Sequence, residues 1–133
     1  MAAVGHPPAG TGDRGSAVVD FVLVVPLLVL LAVAVIQVAL ALHVRASLTA
    51  AAAEGARAAA LAGADPQAGV VRARAMLEDT LADSVVTAVI AHRDLVDGLP
   101  VMAVRIDGVL PLVGLLGPAS LTVEGHALRE ETS

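Results

Sequence analysis

Residues 14–42 read RGSAVVDFVLVVPLLVLLAVAVIQVALAL. From Val22 to Leu42 this run holds one strongly polar side chain, Gln37, and one helix breaker, Pro26. A helix rises ~1.5 Å per residue and the hydrocarbon layer of a bilayer is ~30 Å thick, so about 20 such residues cross it. Core helices of soluble domains rarely stay apolar on every face for that length, and the run is read as a single membrane span. Pro26 has no N–H to give and its ring crowds the carbonyl of Val22, so a kink or loosening is expected there. Two readings of Pro26 stay open: flexibility useful to a helix that leaves the bilayer, or a proline that membrane helices simply tolerate. Ala32, Ala34, Ala39 and Ala41 add small residues where neighbouring helices can approach.

Asp20 stands just before the run, and the small pair Gly15-Ser16 just before Asp20. A carboxylate at the membrane centre costs about 2.5–3.5 kcal/mol on insertion scales, less near the headgroups, so a chain that places one there is expected to supply a partner. A cut between Gly15 and Ser16 would supply an amine, with Asp20 one helical turn along from it. A Gly, four residues, an acid and an unbroken apolar helix resemble the type IV prepilin processing site. More narrowly, RGSAVVDFVLVVPLL, with Phe21 directly after the acid and Pro26 six residues beyond it, resembles the start of the TadE-like family of tight-adherence (Flp) pilus assembly proteins. The likeness continues through AAAAEGARAAALAG and VMAVRIDGVLPLVGLLGPASLTVEGHALR. It departs from the family at Asp20, where Glu is usual.

The resemblance implies a minor pilin processed by a prepilin peptidase. Gly15 and Ser16 would be the processing site and Asp20 the charge that registers one subunit against another. The implied partners are the membrane, other pilin-like subunits, the assembly machinery and the peptidase. The implied topology is single-pass, with a cytoplasmic N-terminus and an extracytoplasmic C-terminal domain. Charge alone mildly opposes that orientation, since Arg14 lies on one side of the span and Arg45 and Arg57 on the other.

At 133 residues the chain has room for one span and one small domain with a modest core. A net charge of −5 gives no reason to expect nucleic acid as a partner. With no Trp or Tyr and only Phe21, there is neither an interfacial aromatic belt nor a platform for stacking bases or sugars. The absence of Cys excludes disulfides, thiolate metal sites and Cys nucleophiles.

Three segments are expected. Residues 1–15 form a disordered leader rich in Gly, Pro and Ala, residues 16–63 the membrane and assembly helix with its Ala-rich extension, and residues 64–133 a small extracytoplasmic α+β domain. The formal G-x-G-x-x-G at Gly10, Gly12 and Gly15 lacks the preceding strand that dinucleotide binding requires, and leader composition explains it. Glu54 and Arg57 can pair at a spacing of three, and Gly55 costs the helix about 1 kcal/mol relative to Ala. Gly63 stops that helix. Asp65-Pro66 then reads as an N-cap and first turn, with Val70, Ala73, Leu77 and Leu81 as one apolar stripe and Arg74 and Glu78 as a solvated pair. From Val85 the pattern changes to strands. VVTAVIAH, a turn at Asp97-Gly98, VMAVRID with Met102, Val104 and Ile106 on one face, and SLTVEGHAL predict a three-stranded antiparallel sheet with one helix packed on it. The intervening VLPLVGLLGP is apolar but broken, and burial in the domain, contact with the membrane and contact with a partner all remain open.

No chemistry stands out. His6, His43, His92 and His126 lie in the leader, at the membrane boundary and on two strands, without an H-E-x-x-H pattern. His92 and His126 are read as ordinary strand residues, and no metal or cofactor is expected. Asp94, Asp97 and Asp107 are read as turn residues. With no G-x-S-x-G or Walker loop either, the chain is expected to be no enzyme. Two alternatives accompany the pilin reading. One is an unprocessed single-span envelope anchor whose outer domain binds a partner. The other is a secretory signal cut near Ala39-Leu40-Ala41, although signal cores usually run about 7–15 residues.

Overall fold

The computed structural model describes residues 5, 11–61, 63–81, 83–110, 112 and 117–130. The elements are α1 (Thr11–Leu61), α2 (Pro66–Thr80), β1 (Val86–Val96), β2 (Leu99–Leu110) and β3 (Ala119–Leu128). The strands form an antiparallel sheet in the order β1-β2-β3, and α2 packs on it, giving the expected α+β architecture. Two compact units divide between Val38 and Ala39, so the residues of α1 contribute to both.

In the second unit the strands alternate as their sequence predicts. Met102, Val104 and Ile106 are fully buried on the inner face of β2, with Val89 of β1 and Val123 of β3 beside Ile106 in register. The β1–β2 hairpin closes on Asp97 (φ 53°) and Gly98 (φ 79°), two left-handed residues that match a two-residue turn to the twist of its strands. α2 starts as its sequence directs. The Asp65 carboxylate accepts the Gln67 N–H at 3.0 Å, and Pro66 occupies the first turn, where its missing N–H costs nothing. Gly69, Ala73 and Leu77 are buried, and Val70 and Leu81 pack partly buried against the same core.

The Ala-rich stretch of α1 does more than extend the span. Val44, Leu48, Ala51, Ala52 and Ala56 join Leu77, Val104 and Ile106 in one cluster, and Ala59 and Ala60 pack with Met102 in a second. The helix is therefore part of the core of the second unit. α1 ends at Leu61, two residues short of the expected segment end at residue 63, whereas the division between compact units falls between Val38 and Ala39.

Small side chains set these distances. A Cβ on Gly125 of β3 would stand 2.5 Å from the backbone of Ala52, so the strand lies directly against the α1 backbone. Gly55, which on propensity alone weakens α1, lies in contact with α2.

Several local expectations are altered. Residues 11–15 of the expected leader lie in α1, whereas residues 1–4 and 6–10 are outside the described residues. Among the described residues no ion pair joins Arg74 to Glu78. Glu54 instead gathers Arg57 at 3.1 Å and Arg72 of α2 at 3.3 Å. Half of VLPLVGLLGP, namely Pro111 and residues 113–116, also lies outside the described residues.

Candidate functional site

α1 presents the first candidate site. Every side chain from Arg14 to Ile36 is exposed, including Phe21 at 68% and Leu30 at 67% of their full surface. Water does not tolerate a helix so clad in large aliphatics, so lipid or other helices must cover it. Among the described residues it is the one helix long and apolar enough to cross a membrane, and none of its most apolar window is buried. Gly15, Ser16 and Asp20 lie at its polar start. Ser16 and Asp20 are four residues apart and share a face, and the position of a Gly15 Cβ is open space. α1 runs on through Pro26.

Residues 15–57 match the TadE-like protein family. The match begins at Gly15 and takes in Ser16, Asp20, Pro26 and the Ala-rich segment as far as Arg57, in agreement with the resemblance carried by RGSAVVDFVLVVPLL. The TadE-like segment thus covers the exposed apolar helix and most of the α1 residues that build the core of the second unit. The C-terminal part of the resemblance, from VMAVRID onward, lies beyond the matched residues. No curated protein and no solved structure matches the chain.

The outer face of the sheet carries a second group of polar side chains. His92 of β1 pairs with Ala103 of β2, and Ala103 pairs with His126 of β3, so the two imidazoles flank one small side chain. Glu124 reaches both: its Oε1 lies 3.1 Å from His126 Nε2 and 3.8 Å from His92 Nε2. Asp94 completes the group, with one ligand atom each from His92, Asp94 and Glu124 lying within 4.8 Å of one another. Taken singly in the sequence, His92 and His126 look like unrelated strand residues. The signal available was His92 with Asp94, and Glu124 with His126, each two residues apart and therefore on one face of its strand. Strand order brings the pairs together, and Ala103 leaves room above β2.

Asp107 also differs from its turn assignment. It lies within β2, opposite Ala88 and Thr122. The Thr122 hydroxyl donates to its carboxylate at 2.7 Å and Arg105 Nε at 3.1 Å. These two hydrogen bonds, Thr122 foremost, hold its carboxyl below the usual carboxylate range. Asp94 is likewise a strand residue, its Oδ1 accepting the Leu95 N–H at 2.8 Å. Of these three aspartates, Asp97 alone sits in a turn.

Proposed function

We propose that this chain is a minor-pilin-like component of a tight-adherence pilus assembly system, processed by a prepilin peptidase between Gly15 and Ser16. The observation that carries the reading is the coincidence of the TadE-like match with an exposed apolar helix that opens on Gly15, Ser16 and Asp20. The N-terminus is cytoplasmic, the helix spans the membrane once, and the second unit is extracytoplasmic. After cleavage the Ser16 amine is the new chain end, and Asp20 of a neighbouring subunit neutralises it, which fixes the axial register of one helix on the next. The protein itself catalyses nothing, and its partners are other pilin-like subunits and the assembly machinery.

One observation favours a second reading, an anchor that is never cut. α1 begins at Thr11, so the Gly15–Ser16 bond lies in helical backbone, which a peptidase must first unwind. Gly12 and Gly15 both weaken that first stretch of helix. N-terminal mass analysis of the protein extracted from its native membrane separates the readings. A start at Ser16 supports the processed pilin, a start at Met1 or Ala2 the anchor, and a start at Leu42 a secreted domain.

A further inference from the structure

We propose that His92, Asp94, Glu124 and His126 form a binding site for a divalent transition-metal ion of the zinc class on the outer face of the sheet. Two imidazoles and two carboxylates are the donor set that suits zinc and its neighbours, whereas calcium and magnesium take oxygen ligands alone. With neutral imidazoles the two carboxylates carry two negative charges, matching a divalent cation.

The geometry is close to what such an ion requires. In a tetrahedral site the ligand atoms lie ~2.0–2.2 Å from zinc, and hence roughly 3.3–3.6 Å from one another. His126 Nε2 and Glu124 Oε1 already stand 3.1 Å apart, and His92, Asp94 and Glu124 offer ligand atoms within 4.8 Å. The remaining closure is a matter of rotating side chains that are free to move: those of His92, Glu124 and His126 are 43%, 37% and 41% exposed. Nothing in the row obstructs it, because the residue between the two histidines is Ala103. Asp94 is oriented by the Leu95 N–H on its Oδ1, the kind of supporting hydrogen bond that holds ligating carboxylates in place. Arg105, opposite Glu124 in register on β2, already donates its Nε to Asp107.

Such an ion would join β1 to β3 across β2. A small sheet in a chain without Cys has no disulfide to staple it, and a metal bridging its two outer strands serves the same end.

The test is calorimetric titration of the untagged full-length protein in detergent micelles with Zn2+, repeated with Ca2+, together with thermal unfolding in each ion. The expected result is one Zn2+ per chain and a raised unfolding midpoint in Zn2+ alone. His92→Gln and Glu124→Gln should each weaken binding at least about tenfold, the low end of the loss seen when even a supporting residue of a metal site is removed. Both side chains are partly exposed, so these variants should fold. His6→Gln and His43→Gln should bind as the wild type does. Three results would overturn the proposal: no Zn2+ binding, equal Zn2+ binding by wild type and His92→Gln, or displacement of Zn2+ by equimolar Ca2+.

Discussion

The carbonyl oxygen of Gly69 lies 2.8 Å from where a Cβ on Gly55 would stand, and the carbonyl oxygen of Gly55 lies 2.9 Å from the corresponding point on Gly69. α1 and α2 therefore touch backbone to backbone, with Val104 of β2 beneath the crossing. Propensity and packing oppose each other here. Gly→Ala in a helix interior gains about 1 kcal/mol, but the obstructing atoms are backbone and the Ala73 Cβ, which cannot rotate away. Gly55→Leu should destabilise the second unit by about 1–3 kcal/mol, the usual cost of overpacking. Thermal unfolding checks this, and Gly15→Ala, where the Cβ position is open, should cause no loss.

Leu48 and Leu28 occupy the same helix in opposite settings, one fully buried and the other 57% exposed. Leu48→Ala should cost about 2–5 kcal/mol and make the second unit sensitive to protease, as should Leu77→Ala. Leu28→Ala should leave protease resistance unchanged. Equal resistance of Leu48→Ala and wild type would mean that α1 does not contribute to that core.

Much of the fold was legible because its signals are local. The membrane run announces itself by length, α2 by Asp65-Pro66 and its stripe, the hairpin by Asp97-Gly98, and the strand faces by alternation. What stayed hidden depends on contacts between distant segments. A run such as AAAAEGARAAALAG reads as a good helix former whether or not it is buried, and nothing local says that Gly125 admits the backbone of Ala52. Likewise, His92 and His126 meet only because β1 and β3 flank β2 at the small Ala103.

Asp107 supplies a pH dependence whose sign follows from its hydrogen bonds. Its carboxyl is held below its unfolded value of about 3.9, so ionised Asp107 stabilises the folded state above that value. The contribution is lost as the pH falls below about 4 and through the folded pKa. Thr122→Val removes the larger cause and should move the titration of Asp107 upward toward the ordinary range. Carboxyl NMR titration of wild type and variant reads this directly. The stability difference between them should shrink on acidification.

Processing should depend on the absence of a side chain at Gly15. Gly15→Val, in a host with its own prepilin peptidase, should retain the leader and migrate more slowly than wild type. Because the position is open in α1, a block could not be put down to misfolding. Migration identical to that of the processed wild type would move the cut elsewhere.

In the proposed assembly Asp20 registers this helix against its neighbours. An unpaired charge in an apolar bundle costs several kcal/mol, and on the proposed reading the Ser16 amine that cleavage would create is neutralised by Asp20 of the next subunit. Asp20→Asn should still insert and be cleaved if Gly15 is the residue the peptidase recognises, whereas Asp20→Glu should keep most activity. Site-specific crosslinking in native membranes, from a photoreactive residue placed within Val22–Leu42, measures association with pilus partners. Crosslinks should be lost in Asp20→Asn and retained in Asp20→Glu. Crosslinking of Asp20→Asn at the wild-type level would contradict that registering role.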